Sequence, residues 1–243
     1  MKRYGLIGRT LKHSFSQSYF SKKFAESGIT DCVYQNFELA TIDEFPVLLQ
    51  RYPDLKGLNV TIPYKEDVIS YLTSMNDVVK EIGACNCIKV EGDVLTGHNT
   101  DVVGFRHSLE PKLKQHHQNA LILGTGGAAK AIAYVLRQLG IGYLSVSRKK
   151  GVGSVGYEDL KEELLLKHPL IINTTPLGMY PHVDTSPAIP YQFITPAHFL
   201  YDIVYNPEKT VFLAEGEKQG AQICNGYEML IGQAEESWRI WSY

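Results

Sequence analysis

Leu121-Ile122-Leu123-Gly124-Thr125-Gly126-Gly127-Ala128-Ala129 is the stretch on which the reading of this chain turns. Three apolar residues run into a glycine turn, and a helical pattern from Ala128 to Leu139 follows, ended by Gly140. The spacing is G-x-G-x-x-A between a strand and a helix. Gly124 permits the tight turn, Gly126 lets backbone approach a pyrophosphate, and Ala129 is small where helix and strand pack. The free N–H groups and positive end of the helix face the phosphates. Alone the pattern is weak and also occurs as a ligand-free turn; its strand–turn–helix context is what points to a dinucleotide.

The next strand, Tyr143–Val146, leads into Ser147-Arg148-Lys149-Lys150. A site for NAD usually carries an acidic residue about 20 residues past the first glycine, to bind the ribose 2′-hydroxyl. Here there is none. Arg148 and two lysines stand where a 2′-phosphate would lie, and a guanidinium fork with ammonium neighbours suits a phosphate dianion. A solvated basic loop would read the same. The cofactor expected is NADP.

Outward from this core, strand and helix patterns alternate along the chain. Tyr4–Gly8, Val33–Leu39 and Gly57–Thr61 read as strands, with helices over Gln17–Ser27 and Ile42–Tyr52. Cys85–Val90 and Val94–Gly97 flank Gly92-Asp93, a hairpin turn signal. Leu170–Asn173 and Phe199–Val204 add strands to the second half. Such alternation predicts parallel sheets with crossover helices. The expected fold is α/β: an N-terminal open α/β substrate-binding domain over 1–101 and a Rossmann-type dinucleotide-binding domain over 102–225, with a cleft between them. A last helix within 226–243 is expected to dock back on the first domain.

The first half carries its own polar groups. Asn59 and Thr61 share one face at a strand end, and Lys65 follows Pro63 in what reads as the first turn of a helix. Asn86 ends the run Gly83-Ala84-Cys85-Asn86, and Gly97-His98-Asn99-Thr100-Asp101 ends the hairpin. Polar residues at carboxyl ends of strands are where open α/β sheets bind ligands. A lysine held by an aspartate can pass a proton to a developing alkoxide. Ser14 and Ser16 follow the first strand; hydroxyls at that spacing can hold a carboxylate, but by spacing Ser16 reads first as a helix N-cap.

Composition narrows the function classes. The 243 residues carry 24 Lys+Arg against 26 Asp+Glu, a net charge of 24 − 26 = −2. This balance gives no general support for nucleic acid or an anionic membrane as partner. Four cysteines make no disulfide scaffold, and Cys85-x-Cys87 is too short for a zinc knuckle, so no metal is expected. No run reaches the ~18 apolar residues of a membrane span, and the first apolar run is too short for a signal peptide. A cytoplasmic protein, monomer or homodimer, is expected.

Taken together the motifs resemble the shikimate dehydrogenase family along essentially the whole chain. The resemblance rests on Ile7–Ser16, Asn59-Val60-Thr61-Ile62-Pro63-Tyr64-Lys65, Gly83-Ala84-Cys85-Asn86 and Gly97–Phe105. It continues in Asn173-Thr174-Thr175-Pro176-Leu177-Gly178-Met179, Asp202–Pro207 and Gly226–Ala234. It implies NADPH-dependent, reversible reduction of 3-dehydroshikimate to shikimate, a step of aromatic amino-acid biosynthesis. Residue by residue, it makes Lys65 and Asp101 the catalytic pair. Ser14 and Ser16 would hold the substrate carboxylate, with Asn59, Thr61, Asn86, Asp101, Tyr205 and Gln233 around the carboxylate or ring hydroxyls. Gly124, Thr125, Gly126, Gly127 and Ala128 would carry the pyrophosphate, and Ser147, Arg148 and Lys149 the 2′-phosphate. Asn173, Thr174, Met179 and Gly226 would border the nicotinamide.

This sequence departs from the family pattern in places. Thr10 and Gln17 stand where the first loop usually has prolines, and Cys87 where Thr is common. Gly151–Gly156 replaces what is usually a helix plus strand, which predicts an open adenine side. Two rival readings remain: a relative that takes quinate or NAD, and a ligand-binding relative without turnover.

Overall fold

The computed structural model describes residues 1–12, 14–149, 151 and 153–243. His13, Lys150 and Val152 lie outside the described residues, and with Lys150 one of the three basic positions expected at the 2′-phosphate.

The chain forms two compact units, Met1–Thr100 with Ala234–Tyr243, and Asp101–Gln233. In the first unit β1 (Lys2–Gly8), α1 (Phe15–Glu26), β2 (Cys32–Glu38), α2 (Phe45–Arg51) and β3 (Leu55–Val60) alternate. They are followed by β4 (Ser74–Met75), α3 (Asp77–Ile82), β5 (Cys87–Glu91) and β6 (Val94–His98). The sheet order is β2-β1-β3-β5-β6-β4. The expectation of a parallel sheet holds for β2-β1-β3 and for the edge pair β6-β4. Beyond β3 the hairpin β5–β6 enters antiparallel, because a two-residue turn can only return the chain beside itself.

The second unit begins with α4 (Asp101–Leu109), β7 (Asn119–Leu123), α5 (Gly127–Gln138), β8 (Gly142–Val146) and β9 (Ser154–Val155). α6 (Glu162–Lys167), β10 (Leu170–Asn173), β11 (Phe199–Asp202), α7 (Val211–Lys218) and β12 (Gln222–Cys224) complete its sheet. The order β12-β11-β10-β7-β8-β9 is parallel throughout. Counted from β7, it reads 6-5-4-1-2-3, the doubly wound dinucleotide order, with its switch point between β7 and β10. The short β9 shows that the segment after Arg148 keeps a strand, although of two residues only.

Side-chain alternation explains both cores. On β7, Ala120 and Ile122 enter one apolar cluster while Leu121 and Leu123 enter the opposite one. Phe199 and Tyr201 against Leu200 repeat this on β11. Burial on both faces is why these strands read as unbroken apolar runs. In the first unit Ile7 packs one face of the sheet, and Tyr4 and Leu6 the other.

The final helix, α8 (Tyr227–Ser242), divides between the units, only Ala234 onward belonging with the first. There Trp241 stacks on Tyr4 at 5.1 Å between ring centroids and donates from Nε1 to the Ile88 carbonyl at 3.0 Å. The indole lies on bare backbone: a Cβ on Gly57 would sit 2.3 Å from Trp241 Nε1, so glycine is required. Burying so large a ring removes about 150–250 Å² of surface from water and anchors this half of the helix.

Candidate active site

In the first unit the expected residues gather at the carboxyl ends of β1 and β3. Ser14, with extended backbone (φ −66°, ψ 125°), is the N-cap of α1 but makes no side-chain capping bond. Its hydroxyl is buried and has no hydrogen-bond partner among the described residues. Ser16 is not the cap. It is the second residue of the helix and 8% exposed. The N-cap reading fails because Ser14 already has the extended conformation from which the helix starts, which turns Ser16 inward.

Tyr34 donates to Asn59 Oδ1 at 2.8 Å. Asn59 Nδ2 donates to Ser237 Oγ on α8 at 2.8 Å and to the Asn86 carbonyl at 3.3 Å. Asn86 is fixed likewise: its Oδ1 accepts the backbone N–H of Thr100 at 2.6 Å, and its Nδ2 donates to Thr100 Oγ1 at 3.0 Å. Both amides are buried. Burial lifts the Tyr34 phenol well above its ordinary range, so it stays a neutral donor.

Lys65 is half-buried and lies in a turn, not in the first turn of an α-helix. The Lys65 carbonyl, which a helix would offer to residue 69, instead accepts from Cys85 N at 2.7 Å. The turn is thereby tied to the segment that presents Asn86, and only a short 3-10 helix, Asp67–Tyr71, follows. Thr61 is half-buried, its N–H on the Ile7 carbonyl at 2.9 Å. Asp101, 6% exposed, opens α4 directly after Thr100, so the first unit closes one residue earlier than expected.

In the second unit, the glycine turn sits at the switch point. Gly124 has φ +113°, and a Cβ there would lie 2.6 Å from Thr174 Oγ1, so no side chain is tolerated. α5 starts at Gly127 without a side-chain cap, leaving first-turn N–H groups and the dipole for an anion. A Cβ on Gly126 would meet nothing within 4 Å, so the backbone faces open space where a pyrophosphate would approach. Arg148 and Lys149 are exposed just beyond β8, Ser147 N–H being held by the Val155 carbonyl at 2.9 Å. These donors fit an NADP phosphate set.

Asn173 is fully buried and its amide is used within the fold, donating to Asp202 Oδ1 at 3.0 Å and accepting from Thr175 Oγ1 at 2.6 Å. Thr174 Oγ1 donates to the Leu123 carbonyl at 2.7 Å. Both shape the loop after β10 through these bonds. Met179 is exposed; Tyr205 and Gln233 are half-buried, Gln233 Nε2 bonding the Leu230 carbonyl at 3.0 Å. Gly226 N–H meets the Val204 carbonyl at 3.1 Å.

A family model described as the shikimate dehydrogenase substrate binding domain matches residues 6–88. The shikimate dehydrogenase (NADP(+)) of Caldicellulosiruptor saccharolyticus is 37% identical over 258 aligned positions, covering 99% of this chain and 92% of that protein. The chain belongs to the shikimate dehydrogenase family. The solved structure of shikimate dehydrogenase 1 from Peptoclostridium difficile, 36% identical, superposes with a TM-score of 0.87 over 100% of this chain and 92% of that one. Quinate dehydrogenase from Corynebacterium glutamicum, solved with NAD, is 26% identical with a TM-score of 0.87, covering 99% of this chain and 93% of that one.

In this shikimate dehydrogenase family member, several buried polar residues that hold the expected site residues in place were not singled out by motif reading. Asp202 is a fully buried carboxylate that accepts from Asn173, from Val204 N at 3.0 Å and from Thr210 Oγ1 at 2.6 Å. Desolvation pushes it up to about 6 despite those bonds. The available signal was an acid closing the apolar run Phe199-Leu200-Tyr201. Tyr34, Thr100 and Ser237 were missed as well. Ser237 stands at i+4 from Gln233 and i−4 from Trp241, which places it on one face of α8 with both.

Among the described residues no helix is long and apolar enough to cross a membrane, and no group of three or more His, Cys, Asp or Glu side chains could hold a metal ion.

Proposed function

We propose that this protein catalyses the NADPH-dependent, reversible reduction of 3-dehydroshikimate to shikimate. The observation that carries the reading is the full-length likeness to NADP-dependent shikimate dehydrogenases, joined to an unspent, buried Ser14 hydroxyl and a basic β8 end. When bound, NADPH supplies the hydride that reduces the C3 carbonyl. The turn at Gly124–Ala128 and the pair Arg148 and Lys149 hold its phosphates. Ser14 and Ser16 donate to the substrate carboxylate, and Asn86 and Asp101 orient ring hydroxyls. Lys65 gives its ammonium proton to the carbonyl oxygen as negative charge develops there, and takes it back from the hydroxyl in oxidation. In this reading Asp101 acts with Lys65 as the catalytic pair and accepts from a substrate hydroxyl. Orientation of substrate and lysine, rather than covalent chemistry by the protein, lowers the barrier.

Four free thiols suit a reducing compartment, and we place the protein in the cytoplasm, as monomer or homodimer. One experiment tests the reading: absorbance of NADPH formed from NADP+ with shikimate, beside quinate and beside NAD+. Turnover only with shikimate and NADP+ is expected. Preference for quinate or NAD+ would favour the relative of the other specificity, and no turnover with any pair would favour a ligand-binding protein.

A further inference from the structure

The bonds of Tyr34, Asn59, Ser237, Thr100 and Asn86 form one buried chain of hydrogen bonds. Its members come from β2, β3, α8 and the segments flanking the β5–β6 hairpin. Ser237 is its hub. It is fully buried, and its Oγ lies 2.8 Å from Asn59 Nδ2 and 3.2 Å from Thr100 Oγ1.

Satisfaction arithmetic shows what this hub does. A primary amide has two N–H donors and one oxygen with two lone pairs. Both Asn59 donors are used, on Ser237 Oγ and the Asn86 carbonyl, and one lone pair takes the Tyr34 hydroxyl. Asn59 therefore has a single acceptor lone pair left and its orientation is locked: a flipped amide would turn its oxygen toward the Asn86 carbonyl and its N–H toward the Tyr34 donor. On the other side of the hub, Thr100 meets the Asn86 amide through both its N–H and its hydroxyl, so the position of Thr100 sets which Asn86 atoms remain for a ligand.

We propose that Ser237 is a positioning residue for substrate recognition: from the C-terminal helix it locks the Asn59 amide as a hydroxyl acceptor and, through Thr100, sets the Asn86 amide. The inference rests on the reading of Asn59 and Asn86 as shikimate contacts. Removing the hub leaves a buried Asn59 N–H without its partner, and with one of its three bonds gone the amide is held less firmly in the orientation that presents its oxygen.

The test compares Ser237→Ala, Ser237→Cys and Asn59→Ala, alone and combined, by steady-state kinetics with shikimate and NADP+. Ser237→Ala is expected to raise KM for shikimate about tenfold, within what one lost hydrogen bond supplies, with kcat changed less than about threefold and KM for NADP+ unmoved. Ser237→Cys keeps the volume but offers a poor acceptor, so it should behave as Ala does; packing alone predicts that Cys restores wild-type KM. In the Asn59→Ala background, Ser237→Ala should add less than about twofold, because the two act as one unit. The inference is overturned if Ser237→Ala and Ser237→Cys leave shikimate KM unchanged, if NADP+ KM moves in parallel, or if the two effects multiply. Should Ser237→Ala not fold, the Cys variant alone decides by the same criteria. If instead Asn59→Ala leaves shikimate KM within twofold of wild type, the contact reading on which the inference stands is what fails.

Discussion

Replacing Ser14 by Ala tests the carboxylate reading with an unusual pair of signs. A lost N-cap normally costs ~1 kcal/mol of stability. Ser14 makes no capping bond, and its buried hydroxyl has no partner among the described residues. A buried, unsatisfied polar group costs ~1–3 kcal/mol, so Ala should relieve a cost rather than impose one. For a chain of this size 1 kcal/mol moves Tm by about 2–4 °C, so the ligand-free variant should melt at the wild-type temperature or a few degrees above it. Substrate binding should move the other way. A hydrogen bond to a charged group is worth ~1.5–3 kcal/mol, equivalent to roughly 10–150-fold in affinity. The carboxylate lies away from the reacting carbon, so the contact serves ground and transition states alike and its loss raises KM more than it lowers kcat. Calorimetry of the free variant and initial rates with shikimate against its methyl ester measure both sides. Ser14→Ala should discriminate less between acid and ester than wild type does. A lower Tm with unchanged acid preference would refute the reasoning and make Ser14 a structural residue.

Three further perturbations probe the other assignments. Lys65→Ala should lower kcat by ~10²-fold or more with NADP+ binding intact by fluorescence titration; turnover within about threefold of wild type would remove Lys65 as the proton donor. Arg148→Ala should raise KM for NADPH by roughly 10–150-fold while leaving NADH unchanged, because only the former has the 2′-phosphate to lose; parallel shifts would show that the loop serves neither. Asp202, pushed up to about 6 from 3.8, binds its proton more readily folded than unfolded. Its contribution to stability is thus complete below about pH 4 and lost as pH rises through 6, by at most about 3 kcal/mol. In urea unfolding, the stability difference between wild type and Asp202→Asn should therefore fall from pH 4 to pH 7, and a constant difference would count against an acid titrating there.

The dinucleotide half was legible because its signals are local. Gly124 must adopt a positive φ and Ala129 must be small, so the chain writes those needs into adjacent residues. The strands beside them are buried on both faces and read as apolar runs. The Gly92-Asp93 hairpin was local for the same reason, since Gly92 at φ +62° makes the turn itself.

What only the tertiary structure decided depends on neighbours distant in sequence. Spacing cast Ser16 as a cap and Lys65 as helical; the fold made Ser16 the buried second residue of α1 and gave the Lys65 carbonyl to Cys85. Asn173 and Asn59 look alike in sequence, each a polar residue at a strand end. Yet Asn173 spends its amide on Asp202 and Thr175, whereas Asn59 keeps one lone pair. Ser237 lies 178 residues from Asn59 and meets it only because Trp241 seats the helix end on the first sheet. A sequence records which donors and acceptors a residue owns. Which of them remain unspent is set by the packed neighbours, and those are chosen by the whole fold.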